Sequence, residues 1–518
     1  MADEPAVLCA PGRHDHPAVI MAETGTVVTF GELEQRSSRL ARLLIDRGLR
    51  RGDHIAILMT NEPGYFEVAW AAQRCGLFYT PVNWHLTAAE AAYIVRDCGA
   101  SVLIASAALG DLAEQVAAEA PALHTRLMVG GDRAGFEDYA RAVAEYSTQP
   151  PAEQVEGHYM FYSSGTTGRP KGITVALTGE PFGTGLTLDN MMPSLYGFGC
   201  ESVYLCTGPL YHAAPLGWSL GTQRGGGTVV VMERFDAATA LESVQLYGVT
   251  HAQFVPAMFV RMLKLPERTR RAFDLSTLVV AVHAAAPCPI AVKEAMIEWW
   301  GPILHEYYAG SESNAFSAID SPTWLEHKGS VGKTLIGVAH ILDELGNELP
   351  SGEVGTVWFS GGPRFEYHND PAKTAAAYDA RGRSTLGDMG WLDEEGFLYL
   401  ADRRTDLIIS GGVNIYPKEI EDVLVLHPAV ADVAVIGIPD EEMGRQVRAV
   451  IEAQEANSAG PELAAELIEY CRSRLAHFKC PRAVDFVAEL PRLPSGKILK
   501  RVIRERYDRA HAAESRSL

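Results

Sequence analysis

The residues with the densest chemistry run from Tyr159 to Ile173: Tyr-Met-Phe-Tyr-Ser-Ser-Gly-Thr-Thr-Gly-Arg-Pro-Lys-Gly-Ile. From Ser163 to Gly172 there are three glycines, four hydroxyl side chains and a lysine. Gly165, Gly168 and Gly172 have no Cβ, so the backbone there can approach a ligand closely. Its N–H groups, with the hydroxyls of Ser163, Ser164, Thr166 and Thr167, can donate to phosphate oxygens, and Lys171 adds a point charge. This composition suits a polyphosphate. The spacing is not that of a Walker A loop, because Lys171 follows a proline and precedes a glycine where that motif needs Ser or Thr. The alternative, an ordinary glycine-rich turn, does not call for so many donors in so few residues.

A loop of this kind needs a rigid frame, and the flanking sequence supplies one. The apolar and aromatic run Tyr159 to Tyr162 predicts a buried strand leading into it. Upstream, Thr29 and Glu32 form a capping box for a helix whose apolar face includes Leu33, Leu40, Leu43 and Leu44, with Gly48 placed to end it. Strand patterns at 54–59 and 101–105 flank a helix at 65–74, and an alanine-rich surface helix is expected over 106–122. This is βαβ grammar, which implies parallel sheet covered on both faces. Downstream, strands are expected at 202–206, 228–232 and 278–283. A small C-terminal unit follows, with strands near 431–436 and 446–451 and a helix at 462–475.

Length and charge narrow the function classes. The 518 residues are too many for one ordinary core, so two or more units are expected. Lys plus Arg is 45 against 65 Asp plus Glu, a net charge of −20, which removes sequence-independent attraction to nucleic acid or anionic lipid. No apolar run approaches the ~20 residues that span a bilayer, and no basic segment leads into an apolar one at the N-terminus. The expectation is a cytoplasmic protein without a transmembrane segment. Eight scattered cysteines form no Cys-x-x-Cys pair and read as reduced, mostly buried thiols.

The run Ser-Ser-Gly-Thr-Thr-Gly-Arg-Pro-Lys-Gly resembles the phosphate loop of the adenylate-forming superfamily, which contains acyl-CoA synthetases, peptide-synthetase adenylation domains and luciferase. About seven motifs in family order extend the resemblance over nearly the whole chain. It implies an α/β fold: a large N-terminal domain of parallel and mixed sheets covered by helices (1–402), a hinge (403–406) and a small mobile α+β C-terminal domain (407–518).

The resemblance also assigns expected roles. His212, in Pro209-Leu-Tyr-His, would position the substrate carboxylate. The acyl pocket would draw on Tyr211, Trp218, Phe254, Val255, His283 and Ala284. No acidic residue occurs from Gly208 to Met232 to meet an α-ammonium, so a neutral, largely apolar acid is expected rather than an amino acid. Adenine would lie on the small turn at Ala285 and Ala286 and against Tyr308. Ala309, Gly310 and Ser311 would border the phosphates, and Glu312 would hold Mg²⁺. Asp388, in Thr-Leu-Gly-Asp, would accept both ribose hydroxyls, with Arg403 beside them. Ser410, Gly411 and Gly412 would let the pantetheine arm of coenzyme A pass close to backbone. Lys497, in Leu-Pro-Ser-Gly-Lys, would neutralise charge where carboxylate and α-phosphate meet. Lys500, Arg501, Arg504 and Arg506 are expected on a solvated helix face.

Two departures stand out. The family hinge position, commonly Lys or Asp, is Thr405 here, and the usual Thr-His or Ser-His after the phosphate loop is missing, which reshapes the pocket entrance. The implied activity is an AMP-forming acyl-CoA synthetase that uses ATP, Mg²⁺ and coenzyme A. Its expected substrate is a hydrophobic acid: a medium or long fatty acid, or one with a bulky branched or steroid-like side chain. Alternatives are an aryl-CoA ligase and an acyl-AMP ligase that loads a separate carrier protein, no fused carrier domain being expected after Lys497. A catalytically silent relative is disfavoured by Lys171, Glu312, Asp388, Arg403 and Lys497 occurring together. Oligomeric state stays open, a homodimer included. Replacing Lys497→Ala is expected to nearly abolish AMP formation with little change in melting temperature; unchanged AMP production would remove Lys497 from the chemistry.

Overall fold

The alternating strands and helices of the first 160 residues build an all-parallel, six-stranded sheet. The computed structural model describes residues 8, 12–163, 170–403, 406–410, 413–440, 443–492 and 498–514, the side chains of 402, 403, 414 and 510–514 excepted. The sheet runs Glu137–Asp138, Thr125–Val129, Val102–Ser106, His54–Leu58, Phe78–Pro81, His158–Tyr159. Both faces are covered. Ile55 and Ile57 feed one apolar cluster while Ala56 and Leu58 feed another, as alternation along a strand requires. The helix Phe30–Asp46 is capped as expected: Glu32 N donates to Thr29 Oγ1, and Thr29 N donates to Glu32 Oε2.

A second sheet of thirteen strands has a parallel half and an antiparallel half. The parallel half is Pro17–Met21, Thr228–Val231, Val203–Cys206, His251–Phe254, Val280–His283, Leu304–Tyr308, with Val27–Thr29 added antiparallel at its edge. From Phe316–Asp320 outward every neighbour is antiparallel. A small third sheet joins Tyr162–Ser163, Lys171–Thr174 and Glu366–Tyr367.

Two sequence expectations change here. The single strand expected at Tyr159–Tyr162 is two: His158–Tyr159 closes the parallel sheet, and Tyr162–Ser163 leaves it to form a hairpin with Lys171–Thr174. Met160 N still bonds Tyr79 O, whereas the Tyr162 hydroxyl donates to Asp97 Oδ2 at 2.7 Å on another element, so the chain turns between them. The alanine-rich segment forms a shorter helix, Gly110–Glu119, and it is not wholly superficial, because Ala113, Val116 and Ala117 are buried against the sheet.

The two large sheets are joined by buried charge. Arg224 ends the helix Ala213–Arg224 and donates to Glu156 Oε1 and Oε2 at 2.9 and 3.2 Å, and to Asp189 Oδ2 at 2.9 Å. Gln73, on the helix Gly64–Arg74 of the six-stranded unit, donates to Glu156 Oε2 at 2.6 Å, and the Arg224 guanidinium lies 5.0 Å from the Trp70 ring centroid. Both carboxylates are almost inaccessible, and burial pushes the Asp189 carboxyl up against the pull of Arg224.

From Ile408 onward the chain has a sheet and apolar clusters of its own. Val430–Asp440 pairs antiparallel with Gly444–Ala453, which pairs parallel with Ala483–Val487; the helices Pro417–Leu424 and Pro461–Arg472 pack on them. The last helix, Lys500–Glu514, departs from the solvated basic face expected of it. Lys500 pairs with Glu421 at 2.9 Å and Arg504 with Asp406 at 2.9 Å, which leaves Arg501 and Arg506 exposed. Of the seven described cysteines, four are buried and only Cys200 is exposed. Among the described residues no helix is long and apolar enough to cross a membrane.

Removing one partner from a buried ion pair leaves an uncompensated charge, at a cost of about 3–5 kcal/mol. Arg224→Met is therefore expected to lower the denaturant midpoint of the large domain clearly. Adding Glu156→Gln and Asp189→Asn should return much of the loss, as read by urea unfolding.

Candidate active site

Four parallel strands, Val203–Cys206, His251–Phe254, Val280–His283 and Leu304–Tyr308, end side by side. The segments that follow them carry Tyr211 and His212, Val255, Ala284 to Ala286, and Ala309 to Glu312. Carboxyl ends of parallel strands are where open α/β sheets place ligands, since the loops there are free to vary over a fixed frame.

The loop bearing His212 is pinned from the other unit. Asn61 Nδ2 donates to Gly208 O at 3.1 Å and Met232 O at 2.8 Å, and its Oδ1 accepts from Leu210 N at 2.9 Å. His212 then occupies the N-cap position of the helix Ala213–Arg224. Its Nε2 is buried and has no hydrogen-bond partner among the described residues, and the Tyr211 hydroxyl beside it is likewise buried without one. Burial, then the neighbouring His85, pulls the His212 ring down to about 4. The imidazole is neutral at pH 7 and keeps one N–H to give.

Ala285 has φ 74°, a left-handed conformation that a residue with a Cβ adopts at some cost. Together with Ala286 it presents a small, exposed turn. Strand alternation separates the next two residues. The Tyr308 hydroxyl donates to Asp388 Oδ2 at 2.6 Å, while Tyr307 turns to the opposite face, stacked on Phe316 with ring centroids 5.2 Å apart. Gly310 lets the side chains of Leu386 and Glu312 close in, since a Cβ would stand 2.5 Å from Leu386 Cδ1 and 2.8 Å from Glu312 Oε2 and displace one of them. Ser311 is exposed. Glu312 Oε1 accepts from the Tyr367 hydroxyl at 2.9 Å, and Lys171 Nζ lies 3.5 Å from Asp370 Oδ2. Tyr162–Ser163 and Lys171–Thr174 form the base of the hairpin that holds the glycine-rich loop, with Ser163 opposite Lys171. Asp388 pairs across its ladder with Arg403.

The residues expected around the acyl pocket divide between two faces of the thirteen-stranded sheet. Trp218, on the helix Ala213–Arg224, lies on one face of the thirteen-stranded sheet, its Nε1 donating to the Tyr307 hydroxyl at 3.3 Å. Phe254 and His283 point to the other side, into the cluster of Phe259 and Trp300. His283 is fully buried, and neither ring nitrogen has a hydrogen-bond partner among the described residues; its Nε2 is 3.7 Å from Glu306 Oε2, which pairs with buried Lys293 at 2.7 Å. Burial, then Lys293, drives the His283 ring well below its ordinary value. Val255 caps the helix Pro256–Leu263 and is half-buried, and Ala284 is buried. On the Trp218 side the wall is aromatic: Tyr159, Tyr196, Phe198, Tyr307 and Phe316. Gly217 belongs there too, since a Cβ would stand 3.2 Å from Leu188 and 4.0 Å from the Tyr159 hydroxyl.

Sequence reading did not single out Asn61, Tyr307, Tyr367 or Asp370. For Tyr307 a signal existed, the period-two alternation beside Tyr308. Ser164, Gly165, Thr166, Thr167, Gly168, Gly411, Gly412 and Lys497, with hinge residue Thr405, lie outside the described residues, as does the side chain of Arg403. Ser410 is buried at the end of the strand Ile408–Ser410.

Two family models match the chain: AMP-binding enzyme over residues 9–364, and AMP-binding enzyme C-terminal domain over residues 419–497. A fatty acid–[acyl-carrier-protein] ligase, ScoC of Streptomyces coeruleorubidus, is 32% identical over 95% of this chain and 93% of its own. The long-chain-fatty-acid–CoA ligase FadD13 of Mycobacterium tuberculosis is 30% identical, covering 95% of both chains. Among solved structures, ATP-bound MatB from Rhodopseudomonas palustris superposes with TM-score 0.80 at 27% identity, over 96% of this chain and 97% of that one.

The depressed His212 value carries a sign for stability. The folded ring binds its proton less readily than the unfolded one, so its contribution is complete above pH 6.5 and is lost as pH falls toward 4. Melting temperature is expected to fall over that interval, and the fall should be smaller in His212→Asn by a margin that thermal melts at about pH 7, 6 and 5 will read.

Proposed function

The chain belongs to the AMP-binding enzyme family, the adenylate formers, and on that premise we propose that it is an AMP-forming acid–thiol ligase for a hydrophobic carboxylic acid. The acid is a medium or long fatty acid, or one with a bulky branched or steroid-like side chain, and ATP and coenzyme A are the co-substrates. The observation that carries this reading is three polar pairs on neighbouring segments: Lys171 with Asp370, Glu312 with Tyr367, and Asp388 with Tyr308. The aromatic wall around Trp218 and Tyr307 supports an apolar acid.

In this reading the neutral His212 gives its N–H to the substrate carboxylate and sets the angle of its attack. Asp388 receives the two ribose hydroxyls, Tyr308 and the turn at Ala285 and Ala286 hold adenine, and the hydroxyls and N–H groups from Ser163 to Gly168 cradle the phosphates. The carboxylate oxygen bonds to the α-phosphorus, and the electron pair of the broken bond leaves with pyrophosphate. Lys497 neutralises charge where the two anions meet. Glu312 would hold a hard divalent cation, which would supply charge neutralisation at the phosphates. The thiol of coenzyme A then displaces AMP, entering past Ser410, Gly411 and Gly412. We take 1–402 and 407–518 as the two domains, with 403–406 as the hinge between the half-reactions.

A second reading, transfer of the acyl group to a carrier protein, is favoured by the 32% identity to a fatty acid–[acyl-carrier-protein] ligase. A panel of fatty, aromatic and steroidal acids, each with and without coenzyme A, separates the two. Thioester and AMP with an aliphatic or steroidal acid is the expected result. Thioester only with aromatic acids would make the protein an aryl-CoA ligase, and adenylate without thioester would move the acceptor to a carrier protein.

A further inference from the structure

A second lysine stands beside Lys171. The strand Glu366–Tyr367 pairs with Lys171–Thr174, Tyr367 opposite Ile173, and the chain then enters the short helix Pro371–Ala376. Asp370 starts that helix, its Oδ1 accepting from Lys373 N at 2.9 Å, and its Oδ2 faces the Lys171 ammonium. Lys373 folds back so that its Nζ lies 4.3 Å from the centroid of the Tyr367 ring, whose hydroxyl holds Glu312. Lys171 and Lys373 thus share Asp370 and the Tyr367 strand as neighbours, close enough that each ammonium feels the other's charge, and Glu312 and Asp370 are the carboxylates in the same field.

Two like charges this near, both partly withdrawn from water, repel unless an anion lies between them. Asp370 serves Lys171 and the start of its helix, and Glu312 is committed to Tyr367 and to the proposed cation. The two carboxylates that face the ammoniums are thus each shared with other donors. Burial, then Lys171, pulls the Lys373 ammonium down to about 8, while Glu312 and Asp370 act the other way.

Taking the acid-activation function above as its basis, we propose that Lys373 is a second polyphosphate-binding cation, which with Lys171 grips the β- and γ-phosphates of ATP and stabilises pyrophosphate as it leaves. When the carboxylate oxygen bonds to the α-phosphorus, the bond to the bridging oxygen breaks and its electron pair departs with pyrophosphate. No proton moves, and the two ammoniums meet the charge that develops. Lys373 touches only the part of ATP that is lost, so it has no role once the acyl-adenylate exists.

That asymmetry supplies the test, made on the full-length protein with Lys373→Met and the conservative Lys373→Arg. Titration with magnesium pyrophosphate, by calorimetry, is expected to weaken about tenfold or more in Lys373→Met, while AMP affinity stays within about twofold. Acid-dependent exchange of labelled pyrophosphate into ATP should fall in parallel. Thioester formation from chemically prepared acyl-adenylate and coenzyme A should hold, and Lys373→Arg should restore most of the loss. Pyrophosphate affinity in Lys373→Met equal to wild type, or an equal loss in both half-reactions with no rescue by arginine, would overturn the role. Exchange absent from the wild-type protein would instead strike at acid activation, and the pyrophosphate titration would still decide Lys373.

Discussion

The structure turns on a buried cation shared between two sheets. Arg224 is held by Glu156 and Asp189 and lies over Trp70, so the helix it ends is fixed to both units at once. Charges taken out of water are costly unless their geometry satisfies them, and here each carboxylate oxygen facing Arg224 also meets a backbone or side-chain donor. Any slip of one sheet against the other breaks several of these bonds together. The other end of the same helix carries His212, and Trp218 lies between, so the clasp at Arg224 determines where a neutral imidazole and an aromatic wall stand.

Asn61 repeats the principle on a smaller scale. One amide satisfies three backbone groups, at Gly208, Leu210 and Met232, and ties the loop to the neighbouring sheet. Such loops are ordinarily the least constrained parts of an α/β protein. This one is held by hydrogen bonds whose loss would leave buried polar groups unpaired, and its rigidity lets His212 keep a buried nitrogen with no partner among the described residues.

The polar half of the site is assembled differently. Lys171 and Lys373 are far apart in sequence, and Glu312 and Asp388 reach the same region from two further segments. A single pairing, Glu366–Tyr367 against Lys171–Thr174, draws the two lysines and Glu312 together, and Tyr367 then links a lysine by its ring to a carboxylate by its hydroxyl, while Asp388 is held through Tyr308. Where the acyl-pocket residues part onto two faces of one sheet, the cause is equally plain: Phe254 and His283 alternate away from the helix that bears Trp218.

Much was legible in the chain itself. Local rules were enough for the capped helix at Thr29 and for the parallel strands around Ile55 and from Val203 to Cys206. The glycine-rich hydroxyl run raised the expectation of phosphate chemistry, because glycine freedom and donor density are properties of adjacent residues, and residues 164–169 lie outside those described. The resemblance carried the order of the motifs and the family. Three things were not legible: the break at Tyr159 to Tyr162 into two sheets, the division of the acyl residues between faces, and the pairing of Lys171 with Lys373. Each depends on which strand lies beside which and on the face a side chain takes, and these are fixed by packing and charge burial between segments far apart in sequence. Sequence determines what a residue can do chemically; only the tertiary structure decides what stands within reach of it.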